Sequence, residues 1–304
     1  MKNIIEVENL IKSYGNFKAV DGISFQVEEG SIFAFLGPNG AGKSSTINTL
    51  CTITEKSGGK IVINGHDIDY EQSLVRKDIG IVFQECTLDE SLTVEENLKY
   101  HCSFYYVPKN EIEERIDFVL KLVDLTKWRK STVGSLSGGM KRRAEIARGL
   151  VHYPKVLFLD EPTTGLDPQT RANIWEYIQK LQKEKNITIF LTTHYMDEAE
   201  VCSKIVVMDH GKIIACDSPD NLKKKYTSIK LMMECYEEEK IKEVLNSLSV
   251  DYVKENEKFV IKSDTTEEVL NVLSHCKPYI TDFEVKKGTI NDAFLAITGR
   301  EIRE

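Results

Sequence analysis

Apolar residues recur along this chain in two rhythms, and the changes between them lay out its architecture. The opening third reads as strands: "IIEVENLIKSYG", then "ISFQVEEG", then the wholly apolar "SIFAFLG". A glycine-rich loop follows, and then a helix from Ser44 to about Leu50. "GKIVINGHDI" is a further strand with a turn at Asn64-Gly65, and "DIGIVFQ" is another apolar one. From Ser91 to Lys130 the spacing becomes helical, with apolar residues three and four apart in "VEENLKYHCSFYY" and "NEIEERIDFVLKLVDL". This block is a helical insertion in a strand-alternating chain. A helix opening at "SLSGGMKRRAEIARGL" comes next. "KVLFLDEP" and "ITIFLTTH" are buried strands separated by the helix "PQTRANIWEYIQKLQKE", and "KIVVMDHGKIIACD" is a hairpin turning at His210-Gly211. Strands alternating with helices predict an α/β domain with a mostly parallel sheet.

Past "SPDNLKKKY" the order becomes β-α-β-β-α-β-α, a ferredoxin-like split βαβ with an extra helix. The expected domains are 1–220, with a helical part at about 87–150, and 226–304, the boundary falling near 218–226. At 304 residues, two domains are the natural count. No apolar run reaches membrane-spanning length, and "MKNIIEVENLIKSYG" lacks the apolar block of a signal peptide, so a cytoplasmic location is expected. The seven cysteines form no CxxC pair and read as small buried thiols rather than zinc ligands or disulfides. A net charge of −8 argues against nucleic acid as the main partner. Lys223, Lys224 and Lys225 read as a solvated linker, since lipid recognition usually takes ~4–8 clustered cations.

Chemistry enters with residues 37–44, "GPNGAGKS", which fit G-x-x-x-x-G-K-[ST] between an apolar strand and a helix. In the loop Gly37, Pro38, Asn39, Gly40, Ala41 and Gly42, the glycines let successive N–H groups curl around a phosphate, with Ser45 just beyond. Lys43 supplies a point charge, and the Ser44 hydroxyl can ligate Mg²⁺. "VLFLDEP" is the natural partner. Asp160 ends a buried strand facing the ligand crevice and can hold Mg²⁺ through water, while Glu161 is free to polarise an attacking water. A nucleoside triphosphate is the expected ligand, and hydrolysis the expected reaction. A second anion site stands at Ser137, Gly138 and Gly139, where a helix N-terminus offers free N–H groups. The residues alone leave open whether both sites serve one chain's ligand.

The motif order settles on one family. Residues 37–44, Gln84 ending a strand, "LSGGM" at 136–140, "VLFLDEP" at 156–162, "GLD" at 165–167 and His194 closing "LTTH" together resemble the ATP-binding cassette of ABC transporters. The resemblance covers roughly residues 4–218. It implies a P-loop NTPase cassette with a RecA-like mixed sheet core, an antiparallel β subdomain and a helical subdomain. It also implies a head-to-tail homodimer in which each ATP, with Mg²⁺, is clamped between one chain's phosphate loop and the other's Ser137, Gly138 and Gly139. Further roles follow from the same resemblance. Tyr14 stacks on adenine; Gln84 touches Mg²⁺ and the attacking water; Glu161 is the general base; His194 holds the γ-phosphate and orients Glu161; Asp167 bridges the dimer.

Met140 stands where the family commonly has Gln, a position whose side chain the phosphate does not need. Lys141, Arg142, Arg143 and Arg148 read as a solvated helix face. Met140, "TTHYMDEAE" and the tail "GTINDAFLAITGRE" resemble the ATPase subunits of daunorubicin-resistance-type exporters. Such subunits pair with a separate permease at the inner face of the membrane. In that tail, Ile290, Phe294, Leu295 and Ile297 are expected to pack a terminal helix, and the second domain to regulate or stabilise the dimer. An importer cassette, a soluble ABC ATPase and an inactive nucleotide-binding subunit are the rival readings.

Overall fold

The computed structural model describes residues 2–299. It divides into two compact units, the first closing at Cys216 and the second opening at Asp217. The first unit begins β1 (Asn3–Tyr14), β2 (Phe17–Glu28), β3 (Ile32–Leu36), α1 (Lys43–Leu50), β4 (Gly58–Ile63), β5 (His66–Asp67), α2 (Gln72–Asp78) and β6 (Ile79–Val82). The helices α3 (Val94–Phe104), α4 (Ile112–Leu122) and α5 (Gly138–Leu150) follow. It ends with β7 (Val156–Asp160), α6 (Pro168–Lys185), β8 (Thr188–Thr193), α7 (Met196–Glu200), β9 (Lys204–Asp209) and β10 (Lys212–Asp217).

Two sheets result: an antiparallel one ordered β2-β1-β4-β5 and a six-stranded one ordered β10-β9-β3-β8-β7-β6. In the second, β9, β3, β8, β7 and β6 run parallel. Every residue of β3, β7 and β8 is buried, as strands covered on both faces require, so β3 and the centres of β7 and β8 read as apolar runs rather than alternating ones. β1 instead alternates buried and exposed positions because only one of its faces meets the core. The sheets are joined by phenylalanines. Phe25 of β2 lies 5.6 Å from Phe33, 5.0 Å from Phe35 and 6.0 Å from Phe190, centroid to centroid. Neither α2 nor α7 is legible as a helix in the sequence: at seven and five residues they are too short for a 3.6-residue period to show.

The helical insertion is fixed by charge as well as by packing. Thr93 and Glu96 form a reciprocal capping box at the start of α3. Glu95, almost wholly buried, accepts from Arg129 Nε at 2.9 Å and pairs with Lys99 at 2.6 Å and with Lys130. The Arg129 bond above all holds its carboxyl far below the ordinary carboxylate range. Because the folded group is the stronger acid, its contribution to stability is complete above the unfolded carboxylate pKa of ~4.3 and drains away as pH falls. Stability curves of the wild type and Glu95→Gln, measured against pH, are therefore expected to converge on the acid side. Parallel curves would rule this contribution out.

In the second unit, α8 (Pro219–Tyr226) precedes β11 (Ile229–Cys235), α9 (Glu238–Ser247), β12 (Tyr252–Glu255), β13 (Lys258–Ser263), α10 (Thr266–Cys276), β14 (Ile280–Lys286) and α11 (Ile290–Thr298). The sheet order β12-β13-β11-β14, antiparallel throughout, is that of the split βαβ arrangement. Leu231, Met233, Phe259 and Ile261 pack on Ile241, Leu245, Val269 and Val272. In α11, Ile290 and Phe294 are buried and Leu295 and Ile297 partly so. The final residues of the tail motif, 300 and 301, lie outside the described residues.

Two expectations are corrected. Lys223, Lys224 and Lys225 are not linker: they form the last turn of α8, where their charges meet the negative end of the helix dipole. The cysteines are not uniformly buried. Cys51, Cys102, Cys202 and Cys276 are, whereas Cys86 and Cys216 are exposed.

Candidate functional site

The phosphate loop is shaped by close approaches that only glycine permits. Gly42 has φ 103°, and a Cβ there would stand 2.4 Å from the Ala19 carbonyl oxygen. A Cβ on Gly37 would meet the Met208 carbonyl oxygen at 2.3 Å. These contacts hold the loop close against β2 and β9. No side chain caps α1, so its first N–H groups are left for a ligand, and an anion suits them. Lys43 is buried, and its Nζ donates to the carbonyls of Gly37 at 2.8 Å and Pro38 at 3.0 Å, stretched back along the loop. Burial pushes the ammonium below its ordinary pKa; the charges of Glu161 and Asp160 oppose this.

Beside the loop, the Ser44 hydroxyl donates to Asp160 Oδ1 at 3.3 Å, and Thr192 Oγ1 donates to the same oxygen. A hydroxyl and a carboxylate at the end of a parallel sheet form a hard oxygen donor set, and Mg²⁺ fits it. Glu161 turns away from the strand in a left-handed conformation, φ 45°. A non-glycine residue held there stores ~1–3 kcal/mol of strain, which persists only where surroundings over-determine it. Its N–H donates to the carbonyl and hydroxyl of Thr192, and its Oε2 accepts from Thr164 Oγ1 at 3.0 Å. His194 Nδ1 stands 3.4 Å from the same Oε2 without hydrogen-bond geometry, and it is buried with no partner. A buried nitrogen left unsatisfied is expensive, and a ligand oxygen in the site would satisfy it.

These groups surround a cavity of about 550 Å³. Tyr14, the loop residues Asn39, Gly40, Gly42, Lys43, Ser44 and Ser45, and Gln84, Glu161 and His194 all line it. Ala41 is buried behind the loop, its N–H bonded to Pro38 O, and Asp160 lies below Ser44. Gln84 sits two residues past the end of β6 rather than on the strand. Tyr14 is 48% exposed, with Lys12 Nζ 4.7 Å from its ring centroid. Phe17, its partner across the β1–β2 turn, lines the cavity too, as do Ala19 and Thr164. Phe17 escaped the sequence reading, although two aromatics flanking a Gly-containing turn were a visible signal.

Ser137, Gly138, Gly139 and Asp167 are not among the residues lining this cavity. Ser137 caps α5, accepting from the Met140 N–H, and is exposed, as is Gly138. A Cβ on Gly139 would collide with Thr170 Cγ2 at 2.4 Å, whereas Gly138 faces open space but for Leu166 at 3.8 Å. Thr170 is held in turn by Asp167, which caps α6 and accepts from Thr170 N at 3.0 Å and Oγ1 at 2.6 Å. These bonds lower the Asp167 pKa. Within this chain Asp167 therefore fixes the residue against which the glycine turn packs.

The solvated-face reading of α5 is overturned. Arg142 is 7% exposed, and its guanidinium donates to the carbonyls of Phe83, Asp160, Glu161 and Pro162 and to Glu145. Arg143 donates to Val123 O and Asp124 O, Arg148 to Ile81 O, and Lys141 pairs with Glu90. Period-3.6 patterning assigns charged positions to solvent; it cannot register that strand and loop ends offer buried carbonyls.

Comparison with known proteins agrees with this geometry. The ABC transporter family model matches residues 20–164. The linearmycin resistance ATP-binding protein of Bacillus subtilis is 34% identical over 312 residues, covering 99% of this chain and 100% of that protein. The daunorubicin/doxorubicin resistance ATP-binding protein of Streptomyces peucetius is 33% identical over 305 residues, covering 97% and 92%. Among solved structures, cbiO1 from Clostridium perfringens, part of the ABC transporter complex cbiONQ, has a TM-score of 0.68 at 33% identity, covering 82% of this chain and 97% of that one. A dimeric post-hydrolysis cassette, MJ0796 bound to ADP and Pi, has a TM-score of 0.64 at 27% identity, covering 70% and 98%.

Proposed function

Given that the chain belongs to the ABC transporter ATP-binding proteins and hydrolyses ATP, we propose that it is the nucleotide-binding subunit of an exporter. Its work is to couple the closure of two cassettes to movement of a separate membrane permease. Among the described residues no helix is long and apolar enough to cross a membrane, so the reading places the membrane path in that permease and this chain on its inner face. Relatives named for linearmycin and daunorubicin resistance support drug or antibiotic efflux. The net charge of −8 supports a partner other than nucleic acid.

One observation carries the dimeric mechanism. The capped, exposed N-terminus of α5 at Ser137 and Gly138 presents anion-binding N–H groups, yet it stands apart from the cavity that holds Lys43. A triphosphate seated on one chain's α1 is completed by the other chain's Ser137, Gly138 and Gly139, with Asp167 at the seam. Tyr14 and Phe17 receive the base; Lys43 and the loop N–H groups hold the phosphates. Ser44 and Asp160, with Gln84 of the same cavity lining, would hold Mg²⁺, which neutralises charge on the transferred phosphoryl group. Glu161 accepts the proton of the attacking water, and His194 Nδ1 gains the γ-phosphate as its missing partner. ATP thus bridges two surfaces that make no such contact without it, and closure follows from that differential affinity.

The test mixes Lys43→Ala chains with Ser137→Arg chains under conditions of subunit exchange. Each alone is expected to be inactive. Together they should recover about a quarter of wild-type turnover, because half of the pairs are mixed and each mixed pair keeps one of two interfaces intact. No recovery, beside an active wild type, would refute the shared site.

A further inference from the structure

The Arg142 guanidinium is committed to more than helix packing. Its Nε donates to Pro162 O at 2.6 Å, one terminal nitrogen donates to Asp160 O and Glu161 O at 3.2 Å each, and the other reaches Phe83 O and, at 3.0 Å, Glu145 Oε2. Glu145, itself buried, accepts the N–H of Thr87 at 2.8 Å and its hydroxyl at 3.2 Å. Arg142 and Glu145 thus grip the segment carrying Gln84 on both sides, at Phe83 and at Thr87. The same guanidinium grips the turn carrying Glu161. Both grips come from α5, whose first turn is the Ser137-Gly138-Gly139 anion site.

We propose that Arg142 is a positioning residue for hydrolysis. Together with Glu145 it sets the separation of Gln84 and Glu161 and ties both to α5, so that the helix engaging a neighbour's nucleotide and the chain's own hydrolytic groups move as one body. Two features argue that this is more than cohesion. Glu161 occupies a left-handed conformation that needs external support, and the Glu161 carbonyl is one of the groups Arg142 holds. The five N–H groups of arginine, in a planar fork, meet five acceptors drawn from three separate segments, which lysine cannot reproduce. The inference rests on the hydrolytic reading of Glu161 and Gln84.

The experiment compares wild type, Arg142→Lys and the double variant Arg142→Met/Glu145→Met, all as full chains. The double variant removes both charges, which a buried pair tolerates better than loss of one member. Phosphate release gives kcat and KM, binding of a fluorescent trinitrophenyl-ATP gives Kd, and thermal melting reports the folded fraction. The double variant is expected to lose about a hundredfold in kcat, the scale of a 1 Å misplacement of reacting groups. Kd should stay within about threefold of wild type, and Arg142→Lys should fall between the two in kcat. A lowered melting temperature with unchanged kcat per folded molecule overturns the proposal, as does a Kd that worsens in step with kcat. If the double variant does not fold, Arg142→Lys decides: a fall of about tenfold in kcat at unchanged Kd supports the role, and wild-type kcat refutes it. An inert wild-type chain would overturn the hydrolytic reading and this inference together. An active wild type with an equally active variant overturns the inference alone.

Discussion

Glu161→Gln is expected to lower the rate of phosphate release by roughly 10²–10⁴-fold, the usual worth of a positioned general base, while nucleotide binding survives. The geometry gives the reason. The Glu161 carboxylate accepts from Thr164 at 3.0 Å and has His194 Nδ1 beside it at 3.4 Å, and the backbone is bent into a left-handed turn where the residue lines the cavity. Gln keeps the volume and can still accept from Thr164, but it cannot take a proton from water. Nucleotide affinity should hold because Lys43, Ser44 and the α1 N-terminus are untouched. The signature of the loss is a fall in kcat with a constant Kd, measured under single-turnover conditions. A variant retaining a tenth of wild-type kcat or more, on the scale of that general-base contribution, would show that another group abstracts the proton.

The largest expected change in stability comes from Phe190→Ala. Phe190 lies at the centre of the aromatic cluster, 5.3 Å from Phe33, 5.0 Å from Phe35 and 5.2 Å from Phe158, with Phe25 reaching it from the other sheet. Truncation there removes buried ring area and leaves a cavity that two packed sheets cannot close, a loss of about 3–5 kcal/mol. For a unit of this size that corresponds to a fall in melting temperature of roughly 6–20 °C. Urea titration followed by far-ultraviolet circular dichroism would check it, with Phe283→Ala, at a half-exposed site on β14, as a control expected to move stability by less than about 0.5 kcal/mol. A Phe190→Ala loss under about 1 kcal/mol would mean that the neighbouring rings fill the space.

How much of the site could be read in advance depended on the range of the interactions that build it. The phosphate loop was legible because a strand, glycines, Lys43 and a helix follow one another within a dozen residues, and local chemistry determines the shape. Asp160 and Glu161 were legible for the same reason. The roles given to Gln84, His194 and Asp167 came only from the order of motifs, since each lies far in sequence from the loop. The charged residues of α5 were misread because a helix's polar stripe is ordinarily solvated, and no local pattern reveals a cluster of strand-end carbonyls waiting for a guanidinium. Lys223, Lys224 and Lys225 were misread in the opposite sense: three lysines after a proline looked like linker, although Ser218 caps a helix that ends on them. The short helices α2 and α7 carried no period at all.

By itself, the chain's order of residues determined the alternation of strands and helices, the phosphate loop and the acids at the end of β7, because each depends on neighbours a few bonds away. Only the folded arrangement decided that Phe17 joins Tyr14 at the cavity, that Asp167 braces Thr170 against Gly139, and that Arg142 grips both hydrolytic edges. Those contacts join residues that chain connectivity does not hold together, and the burial that makes them strong exists only after the sheets and helices have packed.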